Sequence, residues 1–114
     1  MSIQTSTRVV DGIAIVDLTG QLRLGEGTGK LREVVQQLVK EGYRKILLNL
    51  GGVIHIDSSG IGELVGNYTT LSNQGGELKL FGLNKNVRNL LQITRLFTVF
   101  DVHEDQASAL KAFK

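Results

Sequence analysis

A chain of 114 residues, 41% of them hydrophobic and 21% charged, is long enough to bury one core without staples and has the make-up of a folded globular domain. It contains no cysteine, which removes disulfides, thiol catalysis and cysteine-ligated metal. The formal charge is only +2, and the basic residues are scattered among acids without an aromatic row beside them, so no direct nucleic-acid contact is expected. The apolar runs span a few residues each, and Met1-Ser2-Ile3-Gln4-Thr5 lacks the basic-then-apolar order of a leader. A single cytoplasmic domain over residues 1–114, without membrane contact, is the expectation.

In chain order, Ile3 to Val10 and Ile13 to Thr19 read as strands. The Asp11-Gly12 between them predicts a hairpin, because a type I′ turn needs positive φ at both central residues. Leu31, Val34, Val35, Leu38 and Val39 recur at helical spacing, with Gly42 as the stop. Lys45 to Leu50 is a nearly continuous apolar run, the pattern of a central strand buried on both faces. Ile61, Leu64, Val65, Tyr68 and Leu71 line one helical stripe, ended by Gln74-Gly75-Gly76. Glu77 to Phe81 is a further strand, and Asn84 caps a helix presenting Val87, Leu90 and Leu91. Thr98 to Val102 reads as the last strand, and Ala107, Leu110 and Phe113 belong to a C-terminal helix. This order predicts an α/β sandwich. An N-terminal antiparallel hairpin leads into a mostly parallel sheet of four to five strands, with about four helices.

The informative segment is Ile54-His55-Ile56-Asp57-Ser58-Ser59-Gly60-Ile61-Gly62, where an apolar run meets the start of a helix. A helix N-terminus offers free N–H groups and a positive dipole end to an anion. A serine there serves as a cap, a nucleophile, a phosphate ligand or a site of phosphorylation.

Several chemistries fail on spacing. Gly25-Glu26-Gly27-Thr28-Gly29-Lys30 has three residues between its outer glycines and Leu31 after the lysine, which fits neither a Walker loop nor G-x-G-x-x-G; it reads as a loop entering a helix. Neither Ser58 nor Ser59 has the glycine two residues before it that a nucleophile elbow needs. His55 and His103 show no orienting partner in the sequence, so a hydrolase is not expected. Two distant histidines and scattered carboxylates make no metal set. Asp17 stands alone, without the acidic pair of a phosphoaspartate site. No cofactor and no metal is expected. Gly60 and Gly62 each cost about 1 kcal/mol inside a helix relative to alanine. Either a partner approaches the backbone closely there or the turn packs tightly on the sheet.

Together with Leu18-Thr19-Gly20-Gln21-Leu22, Leu48-Asn49-Leu50, Gly75-Gly76-Glu77-Leu78 and Val87-Arg88-Asn89-Leu90-Leu91 through Leu96-Phe97, this segment resembles the STAS domain of bacterial anti-sigma factor antagonists over almost the whole chain. The resemblance implies a switch rather than an enzyme. Ser58 would be the phosphoacceptor, and the unphosphorylated form would bind an anti-sigma factor that is also a serine kinase, releasing the sigma factor. A serine phosphatase would reset it. Asp57, Ser58, Ser59, Gly60, Ile61, Gly62, Gln21 and Arg23 would meet the partner. The chain departs from the family pattern at Arg23, where many antagonists carry an acid. Two alternatives stand beside this reading: a STAS interaction module that is never phosphorylated, and a nucleotide or small-ligand site at Gly25–Lys30 and Ser58.

Overall fold

The computed structural model describes residues 3–23, 26–96 and 99–113. Strand β1 (Ile3–Val10) turns through Asp11 and Gly12, with φ of 54° and 78°, into strand β2 (Ile13–Leu22). Both central residues hold the positive φ that a type I′ turn requires. Helix α1 (Glu26–Lys40) follows, then β3 (Lys45–Ile56), α2 (Ser58–Asn73), β4 (Glu77–Phe81), α3 (Lys85–Ile93), β5 (Asp101–His103) and α4 (Gln106–Ala112). The strands form one five-stranded sheet in the order β1-β2-β3-β4-β5, antiparallel between β1 and β2 and parallel thereafter. The expected sandwich is the observed one.

The sheet has two unequal cores. Ala14, Val16, Leu18, Ile46, Leu48, Leu50, Leu78 and Leu80 face α1, α2 and α3, which contribute Leu31, Val35, Leu64, Leu71, Val87 and Leu91. On the opposite face Ile13, Ile15, Leu47 and Phe81 pack against Ala109 and Phe113 at α4. The Lys45–Leu50 run is therefore buried on both faces, as its pattern predicts. α1 and α2 end in matching Schellman turns. Tyr43 N donates to Leu38 O (3.0 Å) past Gly42, and Gly76 N donates to Leu71 O (2.7 Å) past Gly75.

Four expectations are corrected. The glycine-rich stretch is helical from Glu26, not a loop up to Lys30, because buried Thr28 and Leu31 anchor the first turns and tertiary packing outweighs the low propensity of glycine; Gly25 lies outside the described residues. The last strand is only Asp101–His103. Thr98 lies outside the described residues, while Val99 and Phe100 fold back in a turn onto Leu96 O, sending Phe100 into the helix-side core edge-on to Tyr68 (5.6 Å). The C-terminal helix holds Ala107 and Leu110 as expected but ends at Ala112, so Phe113 is its buried C-cap and not a helical residue.

The fourth correction positions the site. β2 runs on to Leu22 and β3 to Ile56, beyond the expected ends at Thr19 and Leu50. They do so through two bulges, both with the extra residue on β3. Asp17 pairs with Asn49 and Thr19 with Gly52, then Gly20 pairs with Val53 and Gln21 with His55. Asn49 stabilises the first bulge: its Oδ1 accepts from Gly51 N (3.0 Å) and its Nδ2 donates to Asp17 Oδ1 (2.8 Å). The second turns Ile54 outward, leaving it 58% exposed. β4 pairs with β3 only as far as Asn49, so the last residues of β3 have β2 alone as a strand neighbour among the described residues.

Candidate functional site

β3 delivers the chain to Asp57, which caps α2. Its carboxylate Oδ1 accepts from Gly60 N at 2.9 Å, and its carbonyl accepts from Ile61 N at 3.0 Å. The cap is itself tied to the sheet, since Asp57 N donates to Leu22 O (3.3 Å). Ser58 is the first helical residue and is exposed; Ser59 is half-buried. Neither hydroxyl has a hydrogen-bond partner among the described residues. The negative Asp57 and the positive end of the α2 dipole both act on whatever charge is placed on Ser58.

The two glycines of this turn have different causes. A Cβ on Gly60 would lie 2.3 Å from Leu22 O and 2.7 Å from Ile56 Cγ1, so glycine is what lets α2 sit on the end of β2. A Cβ on Gly62 would meet nothing within 4 Å. The tight-packing explanation holds for Gly60 and leaves Gly62 without an internal one. Ile61 is a core residue whose side chain is turned away from solvent.

Gln21 and Arg23 come from the other side of the same corner. Gln21 pairs in register with His55, and Arg23, exposed, follows the Leu22 carbonyl that accepts from Asp57. The end of β2 and the start of α2 thus bring Gln21, Arg23, Asp57, Ser58 and Ser59 to one end of the sheet.

Sequence reasoning missed the supports. Asn84 caps α3 by accepting from Val87 N (2.9 Å), but its Nδ2 also donates to Val53 O (2.6 Å), bracing the stretch of β3 that leads to Ser58. Glu63, one turn into α2, is held by Arg32 of α1 through two bonds, at 2.7 and 3.2 Å. Asn84 shows in the sequence only as a cap, and neither its bond to Val53 nor the Arg32–Glu63 pair, each joining residues 31 apart, leaves a local signal.

His103 does have orienting partners. Its Nδ1 lies 3.0 Å from Ser108 Oγ, and its Nε2 lies 3.0 Å from Asp101 Oδ1, a contact too far off line for a hydrogen bond. Burial pushes the Asp101 carboxyl up, but Lys79 at 2.8 Å and His103 outweigh it, and the net shift is downward. This cluster ties α4 to β5, two strands away from Ser58, and supplies no base to it. Among the described residues no three His, Asp or Glu side chains gather as a metal site. None of the helices described is long and apolar enough to cross a membrane.

The family model of the STAS domain matches residues 4–109. The chain belongs to the STAS domain family. This STAS domain is 26% identical to the anti-sigma F factor antagonist of Paenibacillus polymyxa over 96% of its length and 94% of the relative. It is 30% identical to the anti-sigma-B factor antagonist of Staphylococcus aureus, covering 91% of this chain and 95% of that one. Among solved structures, a candidate anti-sigma factor antagonist from Thermotoga maritima superposes with a TM-score of 0.88 at 25% identity, over 96% of this STAS domain and 93% of that chain.

Proposed function

We propose that this STAS domain is an anti-sigma factor antagonist whose grip on an anti-sigma factor is switched off by phosphorylation of Ser58. The observation that carries the reading is the exposed, unpartnered Ser58 hydroxyl at the first position of a helix whose start is fixed by Asp57, Gly60 and the Leu22 carbonyl. Its relatives are named as antagonists of anti-sigma factors, which supports the same role here. The partner is an anti-sigma factor that is also the serine kinase, and a serine phosphatase resets the switch. The chain acts as one domain in the cytoplasm, catalyses nothing itself and touches neither nucleic acid nor membrane.

A phosphoryl group adds about −1.5 to −2 charges at neutral pH. Placed beside Asp57 it brings the formal charge of +2 close to zero and faces the partner with repulsion and bulk, while the first N–H groups of α2 hold it without a change of fold. Incubation with the kinase and ATP is expected to add one phosphate that Ser58→Ala abolishes; label confined to Ser59 refutes the assignment. Ser58→Asp is expected to weaken the anti-sigma complex by about tenfold or more, roughly 1.4 kcal/mol, and an unchanged affinity in titration calorimetry counts against the switch. Arg23, in the place of the usual acid, favours one second reading, a STAS module that binds constitutively. The labelling experiment separates the two, because that module takes up no phosphate.

A further inference from the structure

The sheet has two outer strands. β5 is only three residues long, a common way to blunt an edge. β1 is the opposite case. Its eight residues pair with β2 from Ile3↔Gly20 to Val10↔Ile13 without a register shift, and they include no proline and no lysine. The single charged side chain of β1, Arg8, is drawn back over β2 by two bonds to Asp17, at 2.7 and 3.0 Å, so it does not guard the edge. Gln4, Ser6 and Thr7 are exposed, and the apolar Val9 keeps 50% of its surface in solvent.

The hairpin fixes which backbone groups face out. Val10 and Ile13 flank a two-residue turn and so form a hydrogen-bonded pair, and pairs of the two kinds alternate from there. Val10, Arg8, Ser6 and Gln4 therefore direct their N–H and C=O groups to β2. Ile3, Thr5, Thr7 and Val9 aim theirs outward, where no described residue takes them up.

We propose that β1 pairs with β1 of a second copy of this chain, antiparallel about a two-fold axis at Ser6. That register joins all the outward residues, Ile3 with Val9 and Thr5 with Thr7 in both directions, and every pair exchanges two backbone hydrogen bonds. Centring the axis on Thr5 drops Val9 from the ladder, and centring it on Thr7 drops Ile3. The side chains agree with the register. Exposed Val9 comes to lie over Ile3, at the rim of the other core. Ser6 faces itself and Arg8 faces Gln4, so no like charges oppose one another along the ladder. Glu33 and Glu41 line the groove between α1 and Thr7 and come toward those of the copy, a repulsion that salt near 0.15 M screens over about 8 Å. The two five-stranded sheets become one. Because its halves run antiparallel, the two Ser58 lie at opposite ends, each free to meet a partner.

Ser6 makes the register testable, because across the axis it meets only itself. In this cysteine-free chain Ser6→Cys places two thiols in a non-hydrogen-bonded pair with Cα atoms about 4.5 Å apart, within disulfide reach. Under mild oxidation it is expected to form a covalent dimer about tenfold faster than Ser72→Cys, an exposed control on α2. In sedimentation equilibrium the wild type is expected to pass from monomer to dimer between about 1 μM and about 1 mM, as suits a small interface. Ser6→Lys and Ser6→Glu are each expected to melt cooperatively, to stay monomeric over that range and to dimerise when mixed. A wild type that stays monomeric throughout overturns the proposal and leaves the edge to a strand of another protein. Equal cross-linking of Ser72→Cys overturns it as well, and so does Ser6→Lys that dimerises like the wild type.

Discussion

Gly60 and Gly62 differ by one intervening residue and by everything that surrounds them. Gly60 meets the Leu22 carbonyl, so Gly60→Ala forces α2 off the end of β2 and is expected to cost about 1–3 kcal/mol in chemical denaturation. It should also weaken partner binding, because Ser58 moves relative to Gln21 and Arg23. Nothing in the sequence separates the two glycines: each follows a small or apolar residue in the same turn, and only the approach of a distant carbonyl tells them apart. Asp57, Ser58 and Ser59 were legible because capping is local, whereas the brace from Asn84 to Val53 O spans 31 residues and leaves no local trace. At the rim, Arg23→Glu is expected to change the association rate with the anti-sigma factor and its salt dependence more than the dissociation rate, as stopped-flow traces at two ionic strengths would show.

At the scale of elements, β1 and β4 have the ends their alternation predicts, while β2 and β3 outrun theirs. The apparent stops, Gly20 and Gly51-Gly52, lie at or beside the bulges rather than at strand ends, and a bulge and a terminus look alike in sequence. α3 shows how one side chain joins two elements. Asn84→Ala removes both the helix cap and the bond to Val53 O, and a loss of about 1–2 kcal/mol is expected. Hydrogen exchange should quicken in the first turn of α3 and in the last residues of β3, with the centre of the sheet unaffected. The glycine-rich start of α1 departs from its sequence pattern for the opposite reason: its propensity is poor, and the burial of Thr28 and Leu31 overrides it.

At the scale of the whole molecule, the sheet is pinned by carboxylates. The hydrogen bond from the Arg8 guanidinium holds the Asp17 carboxyl below its ordinary range against some desolvation, with help from Asn49, and Asp101 is likewise lowered on balance. A depressed folded pKa contributes stability that is present above the unfolded value and lost as pH falls through the folded one. The melting temperature should therefore drop as pH falls from about 5 to about 2, and Asp17→Asn should flatten that slope while lowering the plateau near neutrality. The bulged half of β3 has a consequence for how copies of the chain treat one another. A strand with one side unpaired is a template for aggregation, and this stretch leads straight to Ser58. The extra residues at Leu50–Gly51 and at Ile54 interrupt its repeat of donors and acceptors, so no second strand can zip along it. Deleting Ile54 would restore an even edge and is expected to shift the protein toward oligomers in size-exclusion chromatography. The irregularity that places Ser58 at the end of the sheet also interrupts the edge along which a second copy would pair.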